Sequence, residues 1–333
     1  MIDYGNYLIT QGKLSKVQNN IWPLVHNDLS YVGQYWNQTG FDLWEEVDAS
    51  SFFTTAVQYK SLVQGRAFAT SLGHECKACA VASQVLCHLQ DYWNGRAVVS
   101  NMPPKERSGL DVNSVLASLQ TFDSGATTCD DITFQPCSAR ALSNHKLLID
   151  SFRDVYGVNK GRGPGSAIAV GRYAEDVYFG GNPWYLATLA AAEQLYDALY
   201  QWDNQGRLSV TEVSLPFFQD LLANVTTGTY PKASPMYSAI TRTVKVYADG
   251  FLAVVQEYTP ADGSLREQFD RNTGEPVSVE HLTWSYAAFL TAVGRRDGDV
   301  PASWGLLSAP SAPSQCRGST VTGTYVTPTP SPW

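Results

Sequence analysis

Residues 182–206, NPWYLATLAAAEQLYDALYQWDNQG, constrain the fold more than any other stretch, because they read as a helix of about seven turns with both ends marked. Asn182 offers an N-cap, Pro183 suits a first turn, Gly206 supplies a stop, and Thr188, Ala192, Leu195, Leu199 and Trp202 fall on one stripe. Val25, Leu29, Val32 and Trp36 repeat that spacing after Pro23, with Gly40 beyond the end. Similar segments occupy 52–71, 78–93, 140–156, 212–224, 235–256 and 277–294; with a short opening helix the expectation is about nine helices. Strand signals are few and short. The fold class is therefore all-α.

In an all-helical chain, function sits in the connections, and these are long and hold most of the Gly, Asp and aromatic residues. From Pro301 the composition turns to Ser, Thr, Pro and Gly and ends TVTGTYVTPTPSPW, which reads as an extended, O-glycosylated surface segment. No repeat of about 30 to 50 residues is visible.

Charge removes several partner classes. Thirty-one acids against 23 bases give a net charge of -8, and no basic run exists. Nucleic acid and anionic membrane surfaces both need a positive patch, so neither is expected. No apolar run approaches the roughly 20 residues of a membrane span. Aromatics at 12% suit stacking on flat ligands and a large core equally. Six cysteines (Cys76, Cys79, Cys87, Cys129, Cys137, Cys316) and two sequons, at Asn37 and Asn224, suggest an oxidising, secretory setting, with about 15 connectivities open. The start, MIDYGNYLITQGKLSKV, shows neither a basic n-region nor an apolar h-region, which opposes that reading.

Several apparent motifs fail. GRGPGS from Gly161 places Ser166 where a dinucleotide fingerprint needs its last glycine, and no strand precedes it. His74-Glu75 opens like a zinc-protease helix, but Ala78 stands where the second His belongs. Cys76-Lys-Ala-Cys79 is either a redox or half-zinc site or a structural disulfide; no second C-x-x-C exists. No metal and no cofactor are expected.

Carboxylates and aromatics remain. FDLWEEVDA places Asp42, Glu45, Glu46 and Asp48 around Trp44. One protonated and one ionised carboxyl can hydrolyse a glycosidic bond without a cofactor, and an aromatic wall beside a second carboxylate raises the pKa of the donor. The competing reading is a solvated acidic loop. A second acidic loop, Gly263-Ser-Leu-Arg-Glu-Gln-Phe-Asp270, reads alone as an ordinary turn. A third, 171–184, sets Arg172 among aromatics, where it binds sugar hydroxyls or pairs with Glu175 or Asp176.

In this order the three loops resemble the fungal glucoamylases of glycoside hydrolase family 15. YWNQTGFDLWEEV (35–47), TFQPCSARAL (133–142), AVGRYAED (169–176), GNPWYLATLAAAEQLYDALYQWD (181–203), SLREQFD (264–270) and LTWSYAA (282–288) carry the likeness, which spans essentially the whole chain. The resemblance implies an (α/α)6 barrel with a pocket formed by loops at one end. It also implies inverting, exo-acting hydrolysis of α-1,4-linked glucose, more slowly of α-1,6-linked glucose, from non-reducing ends of starch-like glucans, releasing β-glucose.

By matched motif, Glu45 is the general acid and Glu267 the general base, expected about 6.5–9.5 Å apart. Glu46 contacts the next sugar or the arginine, Arg172 binds hydroxyls across the scissile bond, and Trp44, Tyr178, Trp184 and Trp284 form aromatic walls, with the carbonyl beside Leu43 also facing the sugar. The family pattern pairs Cys76 with Cys79, Cys87 with Cys316 and Cys129 with Cys137, the second tying the tail back to the barrel. A secreted monomer acting on starch, glycogen or malto-oligosaccharides is expected, with residues 1–300 the catalytic domain and 301–333 a belt and linker start, and no starch-binding domain.

Ala174 stands where the family commonly has proline, a change expected to be tolerated. Against the family the chain begins inside the fourth helix. The signal peptide and roughly three helices would be absent, with an arginine–aspartate pair that grips the terminal glucose, a tyrosine near the oxocarbenium ion and a tryptophan over the next sugar. The expectation is little or no activity from this chain alone, with an inactive or merely sugar-binding fragment as the alternative.

Overall fold

The computed structural model describes residues 1–328. Contacts divide the described chain into two compact units, residues 1–91 with 303–328 and residues 92–302.

The first unit holds helices α1 (Ile2–Thr10), α2 (Trp22–Tyr35), α3 (Phe52–Ser71) and α4 (Ala82–Leu89) and the hairpin strands β1 (Gly40–Phe41) and β2 (Asp48–Ser51). Pro23 sits in the first turn of α2, as its spacing predicts, and Trp22, Val25, Leu29 and Gly33 line the buried side. α3 can approach α2 closely because Gly65 has no side chain: a Cβ there would meet Leu29 Cδ1 at 2.5 Å. The C-terminal segment lies extended against this unit. Tyr59 Oη donates to Pro310 O (3.4 Å), Trp36 Nε1 to Ser319 O (3.2 Å), Val321 N to Gly33 O (3.1 Å) and Val326 N to Asn27 Oδ1 (2.8 Å). These bonds hold an extended, Pro-containing segment that joins no sheet among the described residues.

The second unit holds α5 (Asn113–Gln120), α6 (Ala139–Ser151), α7 (Tyr185–Gln205), α8 (Leu215–Leu221), α9 (Pro235–Glu257) and α10 (Thr283–Arg296), with hairpins β3 (Arg207–Val210)/β4 (Gly228–Pro231) and β5 (Gln268–Phe269)/β6 (Pro276–Val277). α7 is its axis. Every residue from Tyr185 to Ala198 is buried, because α5, α9 and α10 all pack on it. The helix ends where expected, at Gly206 in the left-handed conformation (φ 67°). Its start is corrected: the cap position is Trp184, and Asn182 and Pro183 precede the helix. α10 begins at Thr283 rather than near 277, because Pro276 and Val277 pair with the Glu267 loop. Its buried residues are Ser285 and Ala292, which leaves Trp284, Phe289 and Leu290 exposed. No described helix is long and apolar enough to cross a membrane.

Candidate active site

In the first unit the acidic stretch is the loop of the β1–β2 hairpin, in register Gly40 with Ala49 and Phe41 with Asp48. Asp42 builds it. Its N donates to Val47 O (2.9 Å), its carbonyl accepts from Glu45 N (3.0 Å), and its Oδ1 accepts from Glu46 N (3.0 Å) and Val47 N (3.3 Å). The four acids thus divide by role: Asp42 is buried and structural, whereas Glu45, Glu46 and Asp48 are exposed. Glu45 adopts φ 58°, which costs a non-glycine residue about 1 kcal/mol or more and fixes where its side chain leaves the loop. Leu43 and Trp44 beside it are half-buried.

Glu267 belongs to the second unit and is held on both sides by main chain. Its N donates to Val279 O (3.0 Å) and its carbonyl accepts from Tyr185 N (3.4 Å), so it lies at the start of α7. Its carboxylate is treated unequally. Oε2 accepts from Gln268 Nε2 (3.1 Å) and from Ser278 Oγ, while Oε1 accepts no hydrogen bond from any described residue. The residue is largely buried, 9% exposed, with one carboxylate oxygen anchored and the other not. Gln268 is itself fixed, since its Oε1 accepts from Asn182 Nδ2 (3.2 Å). Asn182 also donates to Phe179 O (2.9 Å) and accepts from Arg271 N (3.1 Å), so the residue read as a helix cap is a tie between two loops.

Arg172 is 3% exposed, and its fork grips Asp176 bidentately, Nε to Oδ2 at 2.8 Å and Nη2 to Oδ1 at 2.7 Å. Of the two carboxylates open to it in the sequence, Arg172 pairs with Asp176; Glu175 instead accepts from Ser108 N (2.8 Å). The guanidinium carbon lies 4.9 Å from the ring centre of Tyr178, 5.2 Å from Tyr173 and 5.3 Å from Trp184. Tyr178 and Trp184 are roughly parallel, with centroids 6.1 Å apart. Tyr178 and Trp284 are 41% and 38% exposed, whereas Trp184 is 6% exposed and packs near the Arg172 guanidinium.

Behind Arg172, Tyr156 is buried, which pushes its hydroxyl well above the usual range, and the charge of Asp176 adds to this. Gly171 is required there, because a Cβ would meet Tyr156 Oη at 1.9 Å. Gly171→Ala is expected to destabilise the protein by about 1–3 kcal/mol, seen as a lower urea midpoint at unchanged m; an unchanged midpoint would show that Tyr156 yields freely.

The six cysteines form Cys76–Cys79, Cys87–Cys316 and Cys129–Cys137, the same pairs that the family pattern implies. The half-zinc reading of the first pair thus gives way to a disulfide. Asn37 and Asn224 are both exposed. Sequence reasoning did not single out Asp42, Gln268 and Ser278 as supports; Gln268 lay inside a quoted motif, but Ser278, 11 residues from Glu267, gave no signal.

A family model described as glycosyl hydrolases family 15 matches residues 1–294. The chain is 56% identical over 330 residues to a protein named glucoamylase from Neurospora crassa, covering 99% of this chain and 52% of that protein. It is 53% identical to glucoamylase-1 of Arthroderma benhamiae, covering 100% of this chain and 54% of the relative. Among solved structures, the family 15 glucoamylase of Hypocrea jecorina superposes with a TM-score of 0.95 at 57% identity, covering 99% of this chain and 55% of that one. The Hormoconis resinae glucoamylase gives 0.94 at 50%, covering 97% and 56%. The expected (α/α)6 fold class is that of these neighbours. The chain spans about half the length of the curated relatives it matches.

Proposed function

The chain belongs to glycosyl hydrolases family 15, and from that premise we propose that it carries the acid–base pair of an inverting glucan exo-hydrolase, with Glu45 as proton donor and Glu267 as base. The supporting observation is the one-sided anchoring of Glu267: a carboxylate with Oε2 held by Gln268 and Ser278 and Oε1 open is arranged to orient a water and take its proton. In this reading Glu45 protonates the leaving oxygen and Glu267 takes a proton from the attacking water, the division of roles of an inverting pair. Arg172, preorganised by Asp176, donates to sugar hydroxyls and Glu46 contacts the next sugar; Tyr178 and Trp284 stack on the sugar faces, Trp44 and Trp184 complete the walls, and the carbonyl beside Leu43 accepts from the sugar. Starch-like α-1,4-glucans are the substrate and β-glucose the product. Residues 1–300 form the catalytic part and 301–333 the belt, in a secreted monomeric protein that carries glycans at Asn37 and Asn224.

Ser278→Ala tests the anchoring. It removes one charge-assisted donor, worth about 1.5 kcal/mol, so kcat should fall about tenfold with KM nearly unchanged. A rise in KM with kcat unchanged would assign Ser278 to substrate binding instead.

One observation favours a second reading, a chain that binds sugar without cleaving it: Glu45 and Glu46 are exposed, whereas a proton donor at neutral pH needs cover. Assay of the purified chain on soluble starch separates the two; glucose release lost with Glu267→Gln supports the first, and binding without release the second.

A further inference from the structure

Between α7 and α10 lies a buried charge cluster that the catalytic reading does not use. Glu193 and Asp197 are one turn apart on α7, with side chains 9% and 1% exposed. One cation faces both: Arg295 Nε is 3.1 Å from Asp197 Oδ1 and 3.9 Å from Glu193 Oε1. Thr291 Oγ1 donates to Glu193 Oε2 (2.6 Å). Neither oxygen of Asp197 receives a well-directed hydrogen bond among the described residues, and Arg295 Nη1 donates instead to Asp299 O (2.6 Å). Two ionised carboxylates against one guanidinium would leave a net negative charge in a packed interface, the situation in which one carboxyl retains its proton.

We propose that Glu193 and Asp197 hold one proton between them, which makes the α7–α10 joint a proton-locked contact that weakens as pH rises. Burial holds the Asp197 carboxyl well above the usual carboxylate range, with the charge of Glu193 adding and Arg295 opposing. Burial also raises Glu193, against Thr291 and Arg295.

The other charged groups on elements packed against α7 are engaged elsewhere or lie outside the cluster. On α10, Arg296 pairs with Asp249 of α9 (2.8 Å), and Asp249 also accepts from Tyr196 Oη (2.7 Å). Lys245 of α9 acts on Asp249. Asp123, beside the Phe122 ring that Arg295 overlies, accepts from Gly125 N (2.8 Å). On α6, His145 is lowered to about 4 by burial and turns a ring nitrogen to Ala191 O (3.0 Å).

A carboxyl raised in the folded state contributes stability that is complete below the ordinary carboxylate pKa and is lost as pH rises through the folded value. His145 contributes with the opposite sign: its lowered value means that stability is gained as pH rises from about 4 toward the unfolded value. The measurement is therefore the difference between a variant and the parent, in which His145 cancels.

Asp197→Asn mimics the protonated acid and cannot ionise. In urea unfolding of the whole chain from about pH 4 to 8, the variant-to-parent ratio of folding constants should rise with pH, by up to tenfold per unit for one proton. A ratio independent of pH overturns the proposal. Glu193→Gln should give the same trend, and a flat ratio there overturns it equally. If neither variant folds, the unmodified chain answers: its infrared spectrum near pH 6 should contain a protonated carboxyl band that disappears on unfolding, and the lack of that band in the folded state contradicts the proposal. The proposal does not depend on the catalytic assignment, since none of these measurements uses substrate.

Discussion

Glu267→Gln is expected to lower kcat on maltose by about 10²–10⁴-fold, with KM changed little, in a protein of the relatives' full length that carries these residues. The amide keeps the size of the side chain and an oxygen for Ser278 and Gln268 to donate to, so the loop that their bonds hold beside α7 should persist. What is lost is the capacity to take a proton from water. Single-turnover kinetics checks the chemical step, and circular dichroism checks that the helices are intact. Activity within a few-fold of the parent would remove Glu267 from the chemistry, whatever the family of the chain.

Asp176→Ala is expected to cost about 3–5 kcal/mol of stability, because it takes from the buried Arg172 guanidinium both bonds of its bidentate partner. The same change frees Tyr178 N, which donates to Asp176 Oδ1 (2.8 Å), so the 176–181 turn should loosen as well. Asp176→Asn separates charge from shape. It retains an acceptor and should lose less, with the gap between the two variants giving the part that ionic pairing contributes. Urea unfolding of the three proteins reads this, and a loss below about 1 kcal/mol for the alanine variant would mean that Arg172 is supported mainly by its aromatic neighbours.

Helices with one wet face were legible in the sequence. α2 and α9 were read within a few residues because apolar positions alternate with charged ones over several turns, and Gly206 marked the end of α7 because no other residue accepts its conformation so readily. α5 was not read. Its residues Asn113, Ser114 and Ser118 are polar yet buried, held by Asp111 Oδ1 on Asn113 N (2.8 Å) and by Ser118 Oγ on Phe134 O (2.9 Å), so no amphipathic contrast exists to detect.

The start of α7 failed for a related reason. Asn182-Pro183 has the composition of a helix start, but its side chain is drawn to Gln268 and Arg271, which are distant in sequence. At the candidate site the sequence offers the motif residues as candidates but gives no sign of what supports them. Asp42 looked like one more acid in an acidic run, although its buried Oδ1 shapes the loop that presents Glu45. Such roles come from burial and partners, which local composition does not encode.

The central claim, inversion by a separated acid and base, is tested most directly by the anomer first released. Proton NMR of maltose digestion, begun within the first minutes in a full-length protein bearing Glu45 and Glu267, should show β-glucose appearing before mutarotation. α-Glucose as the first product would contradict the inverting mechanism and the assignment of Glu267 as a water-activating base.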